Sequence, residues 1–318
     1  MAARGPGWRR TSRGFYVPRD TGDTAEQRIV EAGVVLPAYG GVTGWASLRW
    51  QGGAWFDGRR PDGTTLLVPL AIGNSKVRVQ ESFALSAERL LPRDILVVDG
   101  LRVTEPVRSV CFEARYAVGV RDAVTWLDMA AYSDLCSVAE CVAYAGYLNG
   151  WTGVPRLRQA LPLVEENSWS PLETRARLVW VLDAGLAPPL CNAPIFDRAG
   201  RHLLTPDLLD VEAGLVGEYD GSLHLEGRQR RRDRDRLEIY RSLGLEVVTI
   251  FSGDLVDRDR LASRILAAYR RCLREPESRR AWTTRLPAWW IRTDTVAHRR
   301  ALDDDQRARL LRIRRKAG

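Results

Sequence analysis

"TPDLLDVEAGLVGEYDGSLHLEGRQRRRDRDR", residues 205–236, sets acids along two apolar-rich segments and follows them at once with arginines. The turn "VEAG" separates "PDLLD" from "LVGEYDG", so the two segments can pair as a hairpin. In that hairpin Asp207 and Glu218 meet at one end of the sheet. Glu218 and Asp220 are two residues apart on a strand and therefore share a face. A carboxylate that closes a buried-type strand is costly without a partner. Acids on adjacent strands repel unless a cation sits between them, and an arginine run calls for anions. A phosphodiester with a metal ion satisfies both demands.

Such chemistry needs hard oxygen ligands, a group that activates water and positive charge where the phosphorane forms. Asp207 and Glu218 are the candidate ligands for Mg²⁺ or Mn²⁺, with Asp220 beside them. Glu173, in the first turn of the preceding helix, is a candidate third acid. His224 is one of three histidines and a candidate general base or leaving-group acid; an ordinary surface histidine after a turn is the plain alternative. From Arg228 to Arg236 there are six arginines and two aspartates, and Arg228, Arg230, Arg232 and Arg236 are the candidate phosphate contacts. A solvated helix face also accounts for the run. Acids near turns are common too, and Asp-Gly is an ordinary turn pair.

Outward from this stretch, the order from 170 onward reads α-β-β-β-α-β-α. "SPLETRARLVW" opens a helix with Ser170 as cap, Pro171 at its first position and Glu173 in its first turn. "LCNAPIF", "HLLTPDLLD", "LVGEYDG" and "LEVVTIF" read as strands, and "RQRRRDRDRLEIYRSLG" and "DRDRLASRILAAYRRCL" as helices. This predicts an α/β unit over 169–275 with a central mixed sheet flanked by helices. Residues 1–105 read as a mixed α+β region. There "TAEQRIVEAGVVL" and "VTGWASLRW" are helical, and "TTLLVPLAI", "KVRVQES" and "RDILVVDGLRVTE" are strand-like. Residues 106–165 read as three amphipathic helices, and 276–318 as a basic, weakly patterned tail.

The 318-residue chain is 45% hydrophobic with a formal charge of +8. It has no apolar run of membrane-spanning length and no signal-peptide core, so neither membrane nor export is expected. Five cysteines in no metal or disulfide pattern suit a reducing cytoplasm. Lys76 and Lys316 are the only lysines. The arginine bias fits the codon usage of a GC-rich genome first, and bidentate phosphate recognition second.

The residues from roughly 169 to 270 resemble the very-short-patch-repair-endonuclease-like domain of the PD-(D/E)XK nuclease superfamily. The likeness rests on the Pro171–Arg177 helix start with Glu173, Pro206-Asp207, Glu218-Tyr219-Asp220-Gly221 with His224, and Arg232-Asp233 through Arg236-Leu237 before Gly244. "WRRTSRGFYVP", "VTGWASLRWQGGAW" and "GLRVTEPVRSVCFEARY" are similar to the front of the same actinobacterial proteins, where a winged-helix segment like that of abortive-infection antitoxins stands. The helices that precede the wing in that pattern have no counterpart here. The resemblance implies a restriction-endonuclease-like fold, a Mg²⁺-dependent endonuclease and DNA as partner, with no small-molecule cofactor. The superfamily's motif ends in lysine two residues after the second acid, and here that place is Asp220. Either His224 or an arginine of the following helix takes the lysine's task, or the site binds DNA without cutting it, as a regulator or antitoxin-like module would. A partner-binding role for the tryptophan-rich "AWTTRLPAWW" is a third reading.

Overall fold

The computed structural model describes residues 5–60, 62–220 and 227–312, with the backbone alone over 227–234. The chain divides into two compact units, Met1–Val164 and Glu165–Gly318. Among the described residues no helix is long and apolar enough to cross a membrane.

In the first unit, β1 (Trp8–Ser12) and β2 (Phe15–Pro18) form an antiparallel hairpin. α1 (Ala25–Gly33) starts at Thr24, whose hydroxyl accepts the Gln27 N–H. β3 (Gly41–Val42), β4 (Val68–Ala71), β5 (Phe83–Ser86), β6 (Ile95–Val98) and β7 (Leu101–Thr104) build a sheet in the order β5-β4-β3-β7-β6, with α2 (Gly44–Trp50) after β3. The Asp99-Gly100 turn between β6 and β7 has φ of 47° and 78°, as a two-residue hairpin of this composition requires. "KVRVQES" is not a strand. Val79 is 74% exposed, so its alternation buries nothing, and pairing starts instead at the buried Phe83.

α3 (Pro106–Tyr116), α4 (Val120–Tyr132), α5 (Val138–Gly146) and α6 (Val154–Ala160) complete this unit. The expected boundary at 105/106 is not a boundary between units. Buried hydroxyls tie α2, β7 and α3 together: Ser47 Oγ donates to the Thr104 carbonyl at 2.7 Å and Ser109 Oγ to Ser47 Oγ at 3.0 Å. α6 enters through Gly153, at φ +76°, where an added Cβ would lie 2.2 Å from the Arg115 carbonyl oxygen. Gly153→Ala is therefore expected to lower the unfolding free energy by about 2 kcal/mol or more, read as a shift of the urea midpoint.

In the second unit, α7 (Pro171–Leu178) runs into a π-helical turn, Val179–Asp183. It is followed by β8 (Leu190–Cys191), β9 (Ile195–Asp197), β10 (His202–Leu204), β11 (Leu208–Asp210) and β12 (Leu215–Asp220). Next come α8 (Gly227–Ser242), β13 (Glu246–Phe251) and α9 (Arg258–Arg271). The central sheet has the order β13-β12-β11-β8; β12 and β13 are parallel across the α8 crossover, and the other neighbours are antiparallel. Successive strand residues face opposite sides. Leu208 and Leu215 join Trp180 and the α9 residues Leu261 and Ile265 on one face. Leu209 and Val216 join Tyr240 of α8 on the other. The unit is thus mixed α/β, a mixed sheet with helices on both sides.

Two expectations fail here. "HLLTPDLLD" is two strands, because Pro206 has no N–H to carry a ladder onward: β10 pairs with β9, and β11 with β12. The segment after 275 is no tail as far as it is described. β14 (Trp282–Thr283) extends β9 into a β10-β9-β14 sheet, and α10 (Val296–Arg300) and α11 (Asp304–Leu310) follow. Trp282, Val296 and Arg299 are buried, and the apolar surface of Trp282 and Val296 anchors the segment despite its charge.

Candidate functional site

The hairpin forms as the turn predicts. Leu208 pairs with Gly217, which sets Asp207 and Glu218 at the same end of the β11–β12 ladder. The backbone N–H of Tyr219 donates to Asp207 Oδ2 at 2.7 Å. Glu218 extends from the α8 face of β12, where its Oε1 accepts from Arg236 Nη2 at 2.9 Å and Nε at 3.2 Å. The hydroxyl of the wholly buried Tyr240 donates to the same oxygen. Arg236 also donates to the Thr205 carbonyl at 2.5 Å, so one guanidinium ties α8 to both sides of the acid pair. Arg236 and Tyr240 are four residues apart and lie on one side of the helix.

Glu173 comes to the cluster from α7. Ser170 caps that helix by accepting the Glu173 N–H at 3.2 Å, and Ser170 Oγ donates in turn to Glu173 Oε1 at 3.1 Å. The other carboxylate oxygen accepts the Trp169 N–H and Asn192 Nδ2, each at 2.9 Å. Asn192 lies in the break between β8 and β9 at φ +47°, a backbone region that asparagine tolerates better than most side chains. Its own N–H donates to the Asp207 carbonyl at 3.0 Å. Asn167 supports it from behind, donating to the Cys191 carbonyl at 2.6 Å.

The electrostatics follow from this convergence. Burial first, then the negative charges of Glu218 and Glu173, hold the Asp207 carboxyl well above the usual carboxylate range. Burial and Glu218 likewise raise Tyr240, which keeps its proton to donate. Burial opposes the charge of Arg236, but Glu218 and Tyr240 outweigh it and hold that guanidinium protonated. Burial and the nearby Arg236 charge lower His202, although the Leu204 backbone opposes them. Asp207 thus feels two further acids, Glu218 and Glu173, while Arg236 is bound to Glu218. The result is a site that favours a proton or a further cation at Asp207.

The sequence-predicted residues divide accordingly. Asp207, Glu218 and Glu173 are brought together. Asp220 ends β12 on the face of Glu218 and in register with Phe251, one ladder step further out. Arg236 is committed to Glu218 and Thr205 rather than directed outward. Arg228, Arg230 and Arg232 lie on the first turns of α8, their side chains outside the described residues, and His224 lies outside them altogether. Asn167, Asn192 and Tyr240 are the supporting residues that pattern reading missed. The one available signal was Asn192, an asparagine that interrupts an apolar strand between prolines.

Among the described residues no group of three His, Cys, Asp or Glu side chains is close enough to form a metal cage. A magnesium ion does not need one: it keeps several waters and takes one or two carboxylates plus substrate phosphate. The pair Asp207 and Glu218, side by side at one end of the β11–β12 ladder, fits that donor set.

No family model matches the chain, and no solved structure matches it significantly. Two curated relatives are similar to it, "Uncharacterized protein MT2308" of Mycobacterium tuberculosis strain CDC 1551 / Oshkosh and "Uncharacterized protein Rv2248" of strain ATCC 25618 / H37Rv. Each is 28% identical over 191 residues, covering 59% of this chain and 69% of the relative.

Proposed function

We propose that the second unit is a restriction-endonuclease-like domain acting as a Mg²⁺-dependent DNA phosphodiesterase in the cytoplasm. The single observation that supports this most is the convergence of Asp207, Glu218 and Glu173 at one strand end with Arg236 reaching in from α8. Asp207 and Glu218 would hold the ion, Mg²⁺ or Mn²⁺, which when bound supplies Lewis-acid polarisation of the phosphate. Asn192 and the Tyr219 N–H orient Asp207, while Tyr240 and Arg236 fix Glu218. Glu173 adds negative charge behind the pair and so strengthens cation binding. Asp220 supports the outer side of the site, and His224 handles the proton of the attacking water or the leaving oxygen. Arg228, Arg230 and Arg232 contact phosphates along the duplex.

Calorimetric titration of Mg²⁺ and Mn²⁺ into the protein, with an Asp207→Ala/Glu218→Ala control, tests the metal site. The expected result is saturable heat that the control lacks, together with Mg²⁺-dependent nicking of plasmid DNA that EDTA stops. Unchanged nicking by the Asp207→Ala protein would overturn the proposal.

A second reading, a noncatalytic DNA-binding module of antitoxin-like or regulatory type, is favoured by Asp220 standing where the motif lysine belongs and by Arg236 already neutralising Glu218. It predicts DNA binding without divalent ions and no cleavage with either metal. Under both readings Arg230→Ala weakens DNA binding about equally for all sequences. It should also reduce the slope of log affinity against log salt by about 1, measured by fluorescence anisotropy across a salt series.

A further inference from the structure

Beside the acid cluster, and within the same unit, lies a cavity of about 830 Å³, a size that accepts one nucleotide. Its aromatic lining comes from three places in the chain: Trp169 before α7, His202 on β10, and Trp289 and Trp290 after β14. Trp290 stands 5.3 Å from the His202 ring and 5.0 Å, edge-on, from Phe196, which fixes its plane. Trp289 meets Trp290 at 66° and is 60% exposed, so an indole is presented to solvent on a rigid support.

Two residues of the cavity wall also touch the acid site. Asn192 lines the cavity while donating to Glu173 and to the Asp207 carbonyl. Thr205 lines it and gives its carbonyl to Arg236, the partner of Glu218. Its amide side chains are committed to the protein: Asn192 Nδ2 donates to the Asn167 carbonyl at 2.8 Å, and Asn167 Nδ2 to Cys191. The cavity therefore offers ring faces more than base-reading edges. Arg309 of α11 lines it as well. That side chain is exposed, with no ion pair among the described residues, and its guanidinium can pair with a phosphate.

We propose that this cavity receives a single unpaired nucleotide of the DNA, stacked against Trp289 and held by Arg309, next to the phosphate that the acid cluster engages. The proposal rests on the reading of the acid cluster as a DNA site and names its substrate class: DNA with an unpaired or extruded base. Because every base offers a π-face, selection is for the unpaired state and not for sequence. The cost of unstacking falls on the DNA, so a bulged or single-stranded nucleotide is taken in preference to a paired one.

The test uses the full-length protein and two duplexes labelled with 2-aminopurine, one carrying it as a single-base bulge and the other paired, with EDTA present to prevent cleavage. The bulged duplex should bind at least about 10-fold more tightly, with the probe's fluorescence quenched on binding. Trp289→Ala and Arg309→Ala, both at exposed positions, should each reduce that preference by about 5-fold or more while leaving the paired duplex within about 2-fold. Asp207→Ala should retain the preference, which separates the pocket from the metal chemistry. Equal affinity for the two duplexes, or an equal loss on both in Trp289→Ala, would overturn the pocket while leaving the nuclease reading standing. Failure of the wild-type protein to bind either duplex in EDTA would overturn the pocket, and failure to bind in Ca²⁺ as well would overturn the reading of the acid cluster as a DNA site.

Discussion

On the nuclease reading, Asp207→Asn is expected to abolish DNA cleavage, by about 10³-fold or more for loss of a proposed metal-ligating charge, and at the same time to stabilise the protein. The two effects have one origin. The carboxyl is held above its usual range by burial and by Glu218 and Glu173, so in the metal-free protein its ionised form is disfavoured relative to the unfolded chain. A carboxyl with a raised folded pKa contributes stability that is fully present below the unfolded pKa of about 3.9 and is lost as pH rises to the folded value. Urea unfolding of the wild type in EDTA should therefore weaken as pH climbs out of the acid range. The amide that replaces the carboxyl in Asp207→Asn keeps an oxygen for the Tyr219 N–H and carries no charge. The variant should lack that pH-dependent component and exceed wild type at pH 7 by about 1 kcal/mol or more. A variant that loses stability at pH 7 and keeps the wild-type pH slope would show that Asp207 is a structural acid.

Glu218→Ala should cost about 2–4 kcal/mol of unfolding free energy, the opposite sign from Asp207→Asn at the same site. Glu218 Oε1 accepts from both Arg236 and Tyr240. Removal strands a phenol hydroxyl on a residue that is 0% exposed and a guanidinium whose side chain is 35% exposed. The arginine's partial access to water limits its share, so most of the loss comes from Tyr240. Glu218→Gln keeps an acceptor for Tyr240 and should lose less than half as much, yet it should bind Mg²⁺ no better than Glu218→Ala. The pair of variants separates the packing role of this side chain from its charge. Chemical denaturation and calorimetric Mg²⁺ titration on both supply the two readouts. Equal stability losses in Ala and Gln would mean that the charge, not the hydrogen bond to Tyr240, anchors α8.

Taken together, these variants describe a site that is costly at one acid and stabilising at its neighbour. Such a division is common where a fold keeps a functional group against its own stability.

Local pattern carried much of this in the sequence itself. Ser170, Pro171 and Glu173 specify a helix start through capping chemistry that involves only neighbouring residues. "VEAG" between two apolar runs specifies the hairpin, and with it the meeting of Asp207 and Glu218, because strand register follows from turn length. Each of these depends on interactions spanning a few positions, where residue type fixes the backbone. "RDILVVDGLRVTE", by contrast, reads as one strand, and the Asp99-Gly100 turn divides it into β6 and β7.

What tertiary structure alone decided lies at longer range. Nothing near Asn192 in the chain indicates that it links Glu173, nineteen residues earlier, to Asp207. Nothing in "RLEIYRS" directs Tyr240 to Glu218 rather than merely to the core. The stretch after 275 has weak periodicity, because its order comes from docking Trp282 and Val296 into apolar surface made by distant strands. That docking places Trp289 and Trp290 beside residues far earlier in the chain and creates a cavity no local pattern announces. Turns and caps are set by backbone geometry within one or two turns of chain. Pockets and charge balance are set by which surfaces meet, and only the folded chain determines that.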